Sequence, residues 1–204
     1  MSPRKYEQVV RAENAAQTRS RIIEAVGAQL RESPTEPLGL DRVAQEAGVA
    51  RSTIYTSFGS RGALISEFLR DLWDSSAQPF VAGAAEADSG VEHLRATIDA
   101  TSRLWEGDAV VWRAVRAMDL LDPDSSDGQV RELEEERKTA VDKLARRLRK
   151  DGALRAGVTP ATAGHTLWVL TSFETFDALR ADRGAGLAAT IRLLTETAER
   201  SLLA

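Results

Sequence analysis

Apolar residues recur every three or four positions along most of the chain, the spacing of one buried helical face. Ile22, Ile23, Val26 and Leu30 form the first such stripe and predict a helix from about Thr18 to Glu32. Before it, Tyr6 to Ala16 is polar and predicts a flexible arm over residues 1–17. Ser33-Pro34-Thr35-Glu36-Pro37 then breaks the chain. Asp41 to Ala47 reads as a short helix with Val43, Ala44 and Ala47 on one face. Gly48 supplies a tight turn, because glycine adopts positive φ cheaply. Arg51 to Phe58 is a second short helix, ended by Gly59-Ser60, and Ser60 caps a third that runs past Trp73. Farther on, Ala82 to Gly90 reads as a loop or weak helix, Val91 to Glu106 and Asp108 to Leu121 as helices, and Asp122 to Gly128 as a loop. Gln129 to Lys150 is amphipathic, with Val130, Leu133, Val141, Leu144 and Leu148 inward. Its early glutamates and late arginines suit the helix dipole. Thr159-Pro160 opens a helix expected to reach about Arg180, and Leu187 to Leu203 closes the chain. With no strand pattern and no internal repeat, the fold class is all-α.

Two short helices joined by a glycine turn match a helix-turn-helix. Ala44, Val49, Ile54 and Phe58 point inward, which leaves Ser52, Thr53, Thr56 and Ser57 outward. A helix enters the DNA major groove only if its outer side chains are short enough to let the backbone approach. Serine and threonine hydroxyls meet base edges, and a threonine methyl packs on a thymine methyl. Arg51 has the reach for a guanine or a phosphate, and Tyr55, one turn later, the length for a phosphate. Arg42, Ala50 and Arg61 flank them and complete the candidate set. The plainer alternative is an ordinary solvated helix face.

Charge adds a weak hint. The 204 residues carry a formal net charge of −4. Residues 1–61 hold nine Lys/Arg against seven Asp/Glu, and the remainder eighteen against twenty-four. A mildly basic front and an acidic back are compatible with nucleic acid at one end. Cysteine is absent, which excludes disulfides, thiolate metal sites and a thiol nucleophile. The opening MSPRKYEQVVRAEN has no apolar core of a signal peptide, and the run Phe80 to Ala85 is far too short to cross a bilayer. A cytoplasmic protein without membrane attachment is therefore expected.

The stretch GLDRVAQEAGVARSTIYTSFGSRGALISEFL resembles the DNA-binding region of TetR-type transcriptional regulators. Val43-Ala44, Ala47-Gly48-Val49, Thr53-Ile54-Tyr55, Phe58, Ser60 and Leu64 carry the likeness, with Arg61 for the usual lysine. Arg19 to Ala25 resembles the family's first helix, so the match spans residues 18–70. Four positions depart from the pattern. Gly39 stands where a capping Ser or Thr is usual, Ala50 replaces Ser, Ser57 replaces Tyr or His, and Gln29 replaces Leu. Leu167 to Ser172 and Glu174 to Phe176 resemble a carboxy-terminal stretch of one subgroup.

The resemblance implies an N-terminal three-helix helix-turn-helix domain (18–64) and a larger C-terminal helical domain (65–204) that binds a small ligand and dimerises. The residues give separate hints. Leu167, Trp168, Val169, Leu170, Phe173 and Phe176 make the helix from Pro160 apolar on nearly every side, so a partner subunit or the same subunit must cover it. All four tryptophans lie in the back half. Trp73, Trp105, Trp112, Met118, Trp168 and Phe173, with Phe80 beside them, are candidates to line an apolar cavity or to form ordinary core. His93 and His165 are ligand hydrogen-bonding candidates or satisfied core and surface groups. Two histidines without cysteine point to no metal and no cofactor.

No phosphate-binding loop, nucleophile elbow, metal spacing or triad is present, so an enzyme is not expected. A binder indifferent to sequence would need more positive charge. The expected function is a sequence-specific transcriptional regulator, a homodimeric repressor on a palindromic double-stranded DNA operator, released by a small apolar or amphipathic ligand.

Overall fold

The computed structural model describes residues 3–76, 83–84 and 86–204. Phe80, most of the run Phe80 to Ala85 and part of the expected Ala82–Gly90 loop therefore lie outside the described residues. Ten α-helices and no strand occur among those described: α1 Pro3–Glu32, α2 Leu40–Ala47, α3 Arg51–Phe58, α4 Arg61–Ser76, α5 Gly90–Gly107, α6 Ala109–Leu121, α7 Gln129–Lys150, α8 Pro160–Leu170, α9 Phe173–Asp177 and α10 Leu187–Leu202. A π-helical turn, Ala178–Asp182, follows α9. The chain forms two compact units, Met1–Arg70 with Arg113–Val130, and Asp71–Trp112 with Arg131–Ala204. The unit boundary falls inside α4, α6 and α7.

In the first unit, α1 buries Ile22, Val26 and Leu30, the stripe expected from its spacing. It begins at Pro3, however, so the segment expected as a flexible arm is helical. The reason is local. Between Lys5 and Arg21 the chain holds neither Gly nor Pro and is rich in Ala, Arg, Glu and Gln, all strong helix formers. Gln29, a polar residue on a core face, is only 3% exposed. With its amide turned to satisfy both atoms, it accepts from the Gly39 N–H at 2.9 Å and donates to the Gly39 carbonyl at 3.2 Å. Gly39 is the N-cap of α2 and has no side chain to cap with. The two departures thus meet in one contact: the remote Gln29 amide pins the Gly39 backbone at the start of α2, although it does not reach the first N–H groups of the helix that a capping hydroxyl would take.

The second unit is built on one apolar cluster. Leu94 and Ile98 of α5, Val141, Leu144 and Leu148 of α7, Leu167 of α8 and Leu194, Ala198 and Leu202 of α10 meet in it. Ser89 and Glu92 form a capping box at the start of α5. Gly90 also donates to Asp151 at 2.7 Å. A β-carbon at Gly90 would lie 3.3 Å from the Leu148 backbone, so the start of α5 needs glycine to approach the end of α7. The last residues return beside residues 153–155 through a bridge between Leu154 and Leu203.

The helix expected from Pro160 to about Arg180 is broken. α8 stops at Leu170, and Ser172, in extended geometry, caps α9 by accepting from the Thr175 N–H. The break frees carbonyls, and side chains from two other helices take them. Trp105 of α5 donates its indole N–H to the Thr171 carbonyl at 3.0 Å. Arg137 of α7 donates to the Trp168 carbonyl at 2.9 Å and to the Thr171 hydroxyl at 3.1 Å. The helix is not apolar all round in the sense expected either. Leu167, Phe173 and Phe176 are buried, whereas Val169 is 56% exposed.

Gln29→Leu tests the amide clamp. It removes the partner of the Gly39 N–H, while the Gly39 carbonyl keeps the Val43 N–H at 3.0 Å, and the expected cost is about 1–3 kcal/mol of unfolding free energy, read from urea melts followed by circular dichroism. A leucine variant as stable as the parent would show the clamp to be dispensable.

Candidate nucleic-acid interface and effector cavity

Helix α3 is held by contacts on its inner face. Gly48 takes φ 65° and ends α2, with the Val49 N–H bonded to the Ala44 carbonyl at 3.0 Å. Ile54 and Phe58 bury the inner face of α3. Arg19 of α1 stacks 4.3 Å above the Phe58 ring, donates to the Ser57 carbonyl and pairs with Glu67 of α4 at 2.5 Å. One side chain thereby fastens the three helices at the end of α3. Sequence reading did not select Arg19, and its only signal was an arginine inside an otherwise apolar stripe.

Arg51, Ser52, Tyr55 and Thr56 are exposed, and Thr53 and Ser57 are half-buried beside them. Ala50, the exposed N-cap of α3, carries no cap hydroxyl. Thr56 donates its hydroxyl proton to the Ser52 carbonyl at 2.9 Å, so it offers outward a methyl and lone pairs. Arg51 pairs with Asp41 at 2.8 Å and lies 6.0 Å from the Tyr55 ring. Both partners of that pair are more than half exposed, where such pairs contribute about 0–1 kcal/mol, so Arg51 exchanges Asp41 for another anion at small cost. Arg42 is differently placed. It reaches Ser33 at 3.0 Å and pairs with Glu32 and Glu36 at the end of α1. Arg61 donates to the Leu38 carbonyl at 3.3 Å and ties α4 to the turn before α2. Of the nine sequence candidates, Arg51, Ser52, Thr53, Tyr55, Thr56 and Ser57 share α3, whereas Arg42 and Arg61 brace the scaffold beneath it.

The second unit contains a cavity of about 670 Å³. α5 contributes His93, Thr97, Ala100, Thr101, Leu104 and Trp105 to its wall. α7 contributes Glu135, Glu136, Arg137, Thr139, Ala140, Val141 and Lys143, and α4 contributes Trp73. Of the six sequence candidates, Trp73 and Trp105 line it. Trp112 and Phe173 touch Trp105 edge-on, at centroid distances of 5.0 and 5.7 Å, and fix its orientation without lining the space. Trp168 lies under the Arg137 guanidinium, 3.5 Å from its centroid. Met118 falls in the other unit. Thr97, Thr101 and Arg137 were missed because they are polar. Their signal was the spacing His93, Thr97, Thr101, which sets three polar residues on one face of a helix that is otherwise apolar inward.

His93 is half-buried, and its Nδ1 lies 3.4 Å from the Arg147 guanidinium. Burial, and then the Arg147 charge, push its pKa below the ordinary imidazole value. Arginine can only donate, so Nδ1 accepts and the ring proton sits on Nε2.

The fold has known counterparts. Residues 22–68 match the family model described as bacterial regulatory proteins, tetR family. No curated protein sequence matches the chain. Solved structures share the fold at low identity. NalD of Pseudomonas aeruginosa, the secondary repressor of the MexAB-OprM multidrug efflux pump, is 20% identical with a TM-score of 0.70, over 94% of this chain and 98% of that one. FadR of Bacillus subtilis, solved with stearoyl-CoA, is 17% identical with a TM-score of 0.69, over 88% and 96%. A putative transcriptional regulator of Saccharomonospora viridis, solved with choline, is 17% identical with a TM-score of 0.71, over 93% and 99%. No helix among the described residues is long and apolar enough to cross a membrane.

The lowered pKa of His93 has a sign that can be checked. The unfolded chain takes up this proton first as pH falls through the imidazole range, so His93 subtracts stability there, and the loss levels off below its folded pKa. Proton NMR titration is expected to place His93 below the ordinary imidazole value, and Arg147→Gln to move it upward. A His93 that titrates above the ordinary imidazole value would contradict the arrangement.

Proposed function

We propose that this chain, which belongs to the TetR family of bacterial regulatory proteins, is a cytoplasmic, sequence-specific transcriptional regulator, a homodimeric repressor on a palindromic operator that a small apolar or amphipathic ligand releases. The observation that carries the reading is the outer face of α3. Its side chains are short hydroxyls, Arg51 and Tyr55 stand exposed at its edge, and the apolar Ile54 and Phe58 are turned inward. That face suits entry into a major groove and suits little else.

Domain roles follow the same line. The helix-turn-helix over residues 18–64 reads DNA, and the remaining chain binds ligand and dimerises. Ser52, Thr53 and Thr56 meet base edges, and Arg51, Tyr55 and Ser57 meet base or phosphate. Arg42, Ala50 and Arg61 approach the backbone or hold the readers in place. The cavity of the second unit is the effector site, in the size range of drug-like ligand pockets. Helix α4 starts at the end of the reader and supplies Trp73 to the cavity wall, so one helix has a stake in both events. A ligand that prefers the form with the wrong half-site spacing then weakens operator binding by its differential affinity.

Dimerisation is assigned to α8 and α10. Both pack into the core of the second unit, yet each turns a large apolar residue outward, Val169 at 56% and Leu193 at 45% exposure. A two-fold interface here would present two readers to two half-sites. Val169→Asp with Leu193→Asp is expected to convert a dimer into a folded monomer in sedimentation, with helix content retained. A parent chain that is monomeric at micromolar concentration would refute the assignment.

Selection from randomised duplex DNA tests the reader. At physiological salt a palindrome is expected to enrich, to change or vanish with Thr53→Ala, and to persist with weaker affinity and a shallower salt dependence with Tyr55→Ala. Binding that shows no sequence preference and fades as salt rises would overturn sequence reading.

A further inference from the structure

We infer that the effector cavity is built for a flat, uncharged aromatic compound that carries O–H or N–H donors along one edge, an assignment that rests on the cavity being the ligand site. Shape comes from the two indoles. Trp105 is held between Trp112 and Phe173 and bonded to the Thr171 carbonyl, so it cannot turn away from the space it lines. Trp73 adds a second aromatic wall from α4. Rigid indole faces favour a planar ring system over a flexible chain.

Polarity comes from α5. His93, Thr97 and Thr101 recur at four-residue intervals along one face, about 6 Å apart along the axis. Thr97 donates its proton to the His93 carbonyl at 2.8 Å, and Thr101 donates to the Thr97 carbonyl at 2.9 Å. Both hydroxyls therefore keep only lone pairs for the cavity. They are acceptors and need a donor on the ligand. His93 adds a single donor at one end of the strip, because its Nδ1 is turned to Arg147 and its proton lies on Nε2.

Charge is excluded by the same accounting. The buried cation in the wall, Arg137, is committed to Glu134 at 2.9 Å, to the Trp168 carbonyl and to the Thr171 hydroxyl. Lys143 is exposed and shares α7 with the exposed Glu135 and Glu136. An anionic ligand would lay its charge against two oxygen lone pairs, in a wall where Glu135 and Glu136 offset Arg137 and Lys143. A cationic one would lie at the end where Arg147 stands behind His93. A neutral donor-bearing edge satisfies the strip without either cost.

Three pyrene probes separate these features: 1-hydroxypyrene, 1-methoxypyrene and pyrene-1-carboxylate, at pH 7, where the phenol keeps its proton. Energy transfer from tryptophan to pyrene reports binding. The hydroxy compound is expected to bind about tenfold or more tighter than the methoxy compound, the equivalent of one lost hydrogen bond, with the carboxylate weaker again. Thr97→Val with Thr101→Val, near-isosteric changes, is expected to bring the hydroxy compound down to the methoxy level and to leave the methoxy compound unchanged. Equal affinity for the three, preference for the carboxylate, or a hydroxyl preference that survives the double variant would overturn the inference. If none of the probes accepts energy from a protein that melts cooperatively, the effector cavity itself falls. If the hydroxyl preference holds but no probe loosens operator binding, the ligand class stands and the release mechanism falls.

Discussion

The second unit depends on how the chain is broken at Thr171. A helix that stops inside a packed core frees carbonyls that no water reaches, and each such group costs about 1–3 kcal/mol if it stays unpaired. Arg137 and Trp105 take those carbonyls from two different helices. In doing so each side chain is itself fixed. Arg137 is 9% exposed, and a buried guanidinium persists only when its charge and its donors are satisfied, which Glu134 and the Trp168 ring complete. The same three residues, Trp105, Arg137 and Thr171, then form one wall of the cavity. The wall is therefore pre-formed by the fold's own polar requirements rather than by a ligand.

This dependence also explains what could and could not be read along the chain. The helix-turn-helix is built from local signals. Gly48 for the left-handed turn, Ala44 and Ala47 on the buried face of α2, and Ile54 four residues before Phe58 all act within a few positions of themselves, so their spacing is enough. The break at Thr171 acts through residues more than thirty positions away. The run from Leu167 to Leu179 is apolar enough to read as one helix, and Ser172 as a capping residue was the one local sign against it. The arm was misread for the opposite reason. Its polarity was taken for disorder, whereas its residues favour helix one by one.

Sites show the same division. The six candidates on α3 sit together because a short helix places neighbours by period alone. The cavity candidates were chosen by residue type, and type does not say which face is concave. Trp112 and Phe173 spend their area in holding Trp105, and Trp168 in supporting Arg137. The polar residues that do face the space, His93, Thr97 and Thr101, follow helical period and not hydrophobicity. Gln29 and Gly39 show the complementary case, in which two apparent departures ten residues apart become sensible only when the backbone brings them together.

A pre-formed wall sets a limit on how a ligand can act. A ligand shifts an equilibrium only by the difference between its affinities for two forms, and a hundredfold loss of operator affinity needs about 2.7 kcal/mol of that difference. Trp105 and Arg137 are both fastened to Thr171 by hydrogen bonds, which leaves this wall little freedom to respond to a ligand. Trp73 is not part of that lock. It belongs to α4, the helix that begins directly after the reader, and it is only half-buried. Under the proposed mechanism the fixed wall supplies affinity, and the difference in affinity has to come from Trp73. Contacts with the α5 strip then decide which ligand binds, while contacts with Trp73 decide whether binding moves the reader.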